Sequence, residues 1–94
     1  MQWLMVRHKL ADYGVWKPYF DADKPRQEAA GLHLGVLLRS LEDPNDVVIA
    51  FQMDDVEKAR AFTQDPGLED VMKKAGVVDQ PTFMFLDEIE SHKP

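Results

Sequence analysis

Residues 32–41 and 47–53 are two strand-like runs separated only by Glu42-Asp43-Pro44-Asn45-Asp46, and this arrangement most restricts the fold. Leu32, Leu34, Val36 and Leu38 alternate with His33, Gly35, Leu37 and Arg39, a period of two with one strongly apolar face. Pro44 sets φ for a turn, and Asn45 tolerates a bridge or left-handed conformation. The two runs therefore predict an antiparallel hairpin at the middle of the chain.

What flanks the hairpin completes the pattern. Residues 3–10 mix aromatic, β-branched and long apolar side chains and predict a first strand. Asp12 is placed to cap a helix whose Tyr13, Trp16 and Phe20 share one face, with Pro18 pressing on the carbonyl of Gly14. Pro25 and Gly31 predict that this helix stops or restarts before the hairpin. After the hairpin, Asp54 and Glu57 resemble a capping box ahead of Val56, Ala59 and Phe62. Asp65-Pro66-Gly67 interrupts that helix, and Leu68, Val71, Met72 and Ala75 form a second stripe ending at Lys73, Lys74 and Gly76. Residues 82–89 predict the last strand, and residues 91–94 form a polar tail. The order is strand, helix, strand, strand, helix, strand, the α+β ferredoxin-like βαββαβ arrangement with a four-stranded antiparallel sheet. With 94 residues there is room for one such domain, spanning 1–94, and not for two.

Both helices of that fold cover one sheet face, leaving the other to water or to a partner. Here the third strand carries Val47, Ile49, Phe51 and Met53 on one face and Val48 and Ala50 on the other. The last strand carries Phe83 and Phe85 opposite Met84 and Leu86. Both faces call for burial, so the chain is expected to pair its sheets as a homodimer, a dimeric α+β barrel. The alternative is a monomer whose second face is covered by residues 21–31.

The charge balance excludes several functions. Eleven Lys and Arg against 17 Asp and Glu leave a net charge of −6, the wrong sign for nucleic acid or an anionic membrane. The absence of Cys removes disulfides, thiolate metal sites and a Cys nucleophile. No apolar run approaches the roughly 20 residues of a membrane span, and the start of the chain lacks a secretory pattern, so a cytoplasmic location is expected. The three His show no metal-ligand spacing, and neither metal nor cofactor is expected.

Chemistry then falls to a few side chains. His8 at the polar end of the first strand suits a general base, because imidazole titrates near neutrality; it also suits a strand-end His satisfied by a backbone carbonyl. Arg7 and Arg39 could orient a substrate oxygen or form surface ion pairs. Tyr13 and Trp16 could stack on an aromatic ligand or pack the core, and His33 could line a pocket or face solvent. Asp87, beside Glu88 at the end of the last strand, could join His8 if the first and last strands are neighbours, as they are in the ferredoxin-like order. Catalytic candidates are thus His8, Arg7 and Arg39, and substrate-binding candidates Tyr13, Trp16, His33 and Asp87.

The stretch Val6-Arg7-His8-Lys9-Leu10-Ala11-Asp12-Tyr13-Gly14-Val15-Trp16-Lys17-Pro18-Tyr19-Phe20-Asp21 resembles the opening of antibiotic biosynthesis monooxygenase-like dimeric α+β barrels. Residues 39–47 are similar to their hairpin, and residues 59–62 and 72–77 to their second helical region. The resemblance implies a homodimer with a pocket in each subunit between sheet and helices. It implies an activity drawn from cofactor-independent oxygenation, isomerisation or cyclisation of a small apolar or aromatic molecule, or else a non-catalytic binding or structural role. Members that oxidise quinols or degrade haem use an Asn and a Trp in that pocket. The one Asn of this chain, Asn45, belongs to the turn, while Trp16 stands near the pocket only by this resemblance.

Overall fold

The computed structural model describes residues 1–92; Lys93 and Pro94, the end of the expected polar tail, lie outside the described residues. The chain runs β1 (Gln2–Lys9), α1 (Tyr13–Ala22), α2 (Lys24–Ala29), β2 (Leu32–Arg39), β3 (Asp46–Met53), α3 (Val56–Thr63), α4 (Pro66–Ala75) and β4 (Thr82–Asp87). The four strands form one antiparallel sheet in the order β2-β3-β1-β4. This is the expected ferredoxin-like architecture, with each helical half split in two by a proline-containing junction.

Local chemistry accounts for those junctions. Asp12 accepts a hydrogen bond from the Gly14 N–H at 2.8 Å, and the helix then continues through Pro18. It stops at Asp23, and α2 starts afresh with Pro25 in its first turn, where a missing N–H costs nothing. The cap of α3 differs from expectation. Asp55, not Asp54, accepts from the N–H groups of Glu57 and Lys58, so Glu57 lies one position too early for a capping box. Asp65 caps α4, and Gly76 closes it at φ +86, a conformation that favours glycine.

The core lies between the sheet and the helices. Leu4, Leu32, Val47 and Ile49 are fully buried there, each contributing roughly 1.5–3 kcal/mol on burial. Trp16 of α1 stacks on Phe20 and packs against the same cluster, and Arg60 of α3 sits over the Phe85 ring of β4.

Strand β2 corrects the expected single apolar face. A register shift between Leu34 and Val36 places a bulge at Gly35. Leu34 pairs with buried Phe51, whereas Val36 and Leu38 pair with Ala50 and Val48 on the opposite face. Gly35 is required because the Trp3 indole lies across it: a Cβ there would stand 2.6 Å from the ring. The helix-free face consequently carries Val36, Leu38, Met84 and Leu86, all more than two-fifths exposed. The segment 21–31 does not shield this face, because α2 packs beside Leu32 and Leu34 on the helical side. Among the described residues no helix is long and apolar enough to cross a membrane.

Candidate functional site

Alternation along β1 sends Leu4, Val6 and His8 to the helical side and Met5, Arg7 and Lys9 to the other. His8 is consequently 5% exposed, at the wall of a cavity between sheet and helices. Val6, Ile49 and Phe51 form its floor, Trp16 and Phe20 one wall, and Met72 and Phe83 another. The cavity volume is about 50 Å³, enough for water and small groups. His8 meets the Trp16 ring edge-on, with centroids 6.3 Å apart. Its Nδ1 is buried without a hydrogen-bond partner, so the backbone carbonyl that would satisfy a strand-end His is not there. Burial pushes the imidazole pKa down to about 4, and the Asp79 carboxylate opposes that only in part. The ring is therefore neutral at pH 7.

Asp79 has no counterpart in the sequence reading. The Leu10–Val77 bridge and the Val78 N–H to Lys9 carbonyl bond carry it to β1, where it accepts the Lys9 N–H at 3.0 Å. The signal missed was the long-range pairing of residues 77–79 with 9–11, which local periodicity does not contain. Two further polar groups line the cavity without having been singled out: Asp23, between α1 and α2, and Gln27, buried on α2.

Several expected partners lie elsewhere. Arg7 projects from the helix-free face and makes a bidentate pair with Asp46 at 2.7 and 3.0 Å. The hydrogen bond from Arg7 holds the Asp46 carboxyl below its ordinary range. Arg7 and His8 thus occupy opposite faces, as strict alternation demands. Asp87 pairs with Gln2 at the far end of β1, six residues and about 20 Å from His8. Strands β1 and β4 are neighbours, but their register separates the two groups. His33 lies 2.7 Å from Asp54 at the exposed sheet edge and does not line the cavity. Arg39 is on the helical side, its guanidinium 4.7 Å from the Tyr13 ring centroid, and Tyr13 in turn lies 5.8 Å from Trp16. Asn45 caps this corner, accepting the Tyr13 N–H through its Oδ1 and the Leu10 N–H through its backbone carbonyl. Of the seven candidates, His8 and Trp16 line the cavity, with Tyr13 packed at a tilt against Trp16 and Arg39 over the Tyr13 ring.

Among the described residues no cluster of three or more His, Asp or Glu could hold a metal ion. The cavity is a largely apolar chamber whose polar lining is the neutral imidazole of His8, able to accept a proton or to hydrogen-bond a ligand oxygen, together with Asp23 and Gln27.

No protein-family model and no curated protein matches the chain. Solved structures do. A Bordetella bronchiseptica protein, provisionally named an antibiotic biosynthesis monooxygenase, superposes with a TM-score of 0.77 at 15% identity, over 95% of this chain and 97% of that one. A Caulobacter crescentus protein with the same provisional name gives 0.70 at 13% identity, over 95% and 90% of the two chains. A NIPSNAP domain protein of Burkholderia xenovorans gives 0.59 at 12% identity, over the full length of both. Likeness at such identity is likeness of fold, and the fold of this chain is that of the antibiotic biosynthesis monooxygenase-like α+β proteins.

Proposed function

We propose that the protein is a homodimeric enzyme of the antibiotic biosynthesis monooxygenase-like type, in which His8 moves a proton on a small apolar or aromatic molecule held between sheet and helices. The observation that carries this reading is His8 itself, buried in the wall of an apolar cavity with an Nδ1 that has no hydrogen-bond partner. Leaving a buried polar atom unpaired costs roughly 1–3 kcal/mol, a cost that a ligand hydroxyl or carbonyl would remove. The neutral ring is in the form that accepts a proton, and Trp16 and Phe20 supply flat apolar walls. Proton removal is the step shared by cofactor-independent oxygenation, isomerisation and cyclisation. Isomerisation needs nothing further, since the same base returns the proton at a second carbon.

One observation favours a second reading, a non-catalytic binding or structural homodimer. At about 50 Å³ the cavity is well below the roughly 300–1,000 Å³ of pockets that hold drug-sized ligands, so occupancy demands movement of its aromatic walls. The partner in either reading is a second copy, supported by the apolar helix-free face.

Titration calorimetry with 2-naphthol as probe, followed by NMR of hydrogen exchange at its C1 in D2O, separates the readings. The enzyme reading expects binding and accelerated exchange, with His8→Ala still binding but losing about 100-fold or more of the acceleration. Binding without His8-dependent exchange favours the non-catalytic module, and no binding refutes the pocket altogether.

A further inference from the structure

The chamber beside His8 measures about 50 Å³, so the side chains that separate it from larger spaces decide what enters. Three outer grooves share part of its lining. The first, of about 670 Å³, runs between the α3–α4 corner and residues 77–81 and meets the chamber only at Met72 and Phe83. The second, of about 380 Å³, meets it at Phe20 and Gln27, and the third, of about 510 Å³, at Phe62. These partitions differ in how firmly they are held. Phe20 stacks on Trp16 at 4.8 Å and packs at a tilt on Phe51, while Gln27 is 5% exposed and donates to the Phe20 carbonyl. Phe62 is a rigid ring packed against the buried core. Met72 is different: half-buried on α4, unbranched, with three rotatable bonds in its side chain and no hydrogen bond to break. Its neighbour Phe83 stands on β4, which pairs with β1 alone. Among the described residues no ring or guanidinium stacks on Phe83, whereas Arg60 lies over Phe85 two positions on.

Position relative to His8 selects the same partition. Phe83 pairs with Val6, which precedes His8 by two residues on the same face of β1. Asp79, whose charge reaches His8, lines the first groove, so that groove ends close to the imidazole. Resting on the pocket assigned to His8, we infer that Met72 and Phe83 form the gate of the chamber, and that the groove lined by Asp79 is the antechamber from which a ligand enters. With the Met72 side chain turned away, chamber and groove become one space within the roughly 300–1,000 Å³ that holds a small organic ligand. Met72 takes no part in proton transfer; it sets which molecules reach His8 and how fast.

The chain has two Trp, so Trp3→Phe leaves Trp16, 3% exposed in the chamber wall, as the one indole. Quenching of its fluorescence by acrylamide reads access to the chamber with no ligand present. In this background Met72→Ala is expected to raise the quenching constant about threefold, and Met72→Ile, which keeps the volume but stiffens the side chain in a helix, to lower it. Leu68→Ala removes a similar volume from the chamber lining away from the groove and is expected to act less than about half as strongly. Circular dichroism melts check that each variant folds. Stopped-flow mixing with 2-naphthol reads the gate in a chain that keeps Trp3, which preserves the test if Trp3→Phe does not fold. Association is expected to be about fivefold faster for Met72→Ala than for wild type and slower for Met72→Ile. Access and association unchanged in Met72→Ala, or a Leu68→Ala effect as large as that of Met72→Ala, overturns the gate while the His8 pocket stands. No binding of 2-naphthol to wild type overturns the pocket reading, and the gate's role in ligand entry falls with it.

Discussion

His8 combines burial with proton chemistry, and the consequence is measurable without any ligand. Its folded pKa of about 4 lies below the ordinary value of 6.5, so between those values the unfolded chain binds more protons than the native one. Stability is therefore complete above about pH 6.5 and is lost as pH falls toward 4, by roughly 3 kcal/mol for a shift of this size. Urea unfolding at pH 4.5 and pH 7 should show this difference in wild type and a much smaller one in His8→Gln. Equal pH dependence in the two proteins would refute the buried neutral ring. The prominence of His8 was legible in the sequence; its surroundings were not. Arg7 and Asp87 are close to it in sequence or in strand order, yet alternation places one on the opposite face and register places the other at the far strand end. Asp79, which does approach, lies at the other end of the chain and arrives through the Leu10–Val77 bridge and the Val78 N–H bond to the Lys9 carbonyl.

Among the elements, the helices follow local rules closely enough for their caps to be tested one residue apart. Asp55 satisfies two backbone donors of α3, whereas Asp54 faces His33 at the exposed edge. Asp55→Ala is expected to cost about 1 kcal/mol and Asp54→Ala less than about 0.5 kcal/mol, as read from chemical denaturation. The reverse order would restore the capping-box reading of Asp54 and Glu57. Strand β2 shows why a period of two is a weaker guide than a helical stripe. Leu32, Leu34, Val36 and Leu38 alternate perfectly, but one extra residue at Gly35 sends the last two to the other face. The cue was the glycine itself, yet what demands it is the Trp3 indole, brought over it from a different strand.

For the whole molecule, the bulge has a consequence for assembly. It adds Val36 and Leu38 to a face that already carries Met5, Val48, Met84 and Leu86, while the Arg7–Asp46 pair supplies a charged border. Since α2 lies on the helical side, nothing in a single subunit among the described residues shields this surface. Sedimentation equilibrium is expected to give a dimer for wild type, and a monomer that still melts cooperatively for Leu38→Asp combined with Leu86→Asp. A wild-type monomer at micromolar concentration would remove the barrel from this account.

The sequence by itself determined the order and kind of every element, the Asp12 cap, the helix breaks near Pro25 and Pro66 and the antiparallel hairpin. Each of these depends on residues within a few positions of one another. It also carried a resemblance that the shared fold matches. Tertiary structure alone decided that His8 and Trp16 share a cavity from which Arg7 and His33 are absent. It likewise decided that Asp23 and Gln27 reach the cavity, and that the Gly35 bulge loads the open face. Register and strand pairing join residues tens of positions apart, and one shifted residue exchanges the two faces of a sheet, so no local period can carry that information.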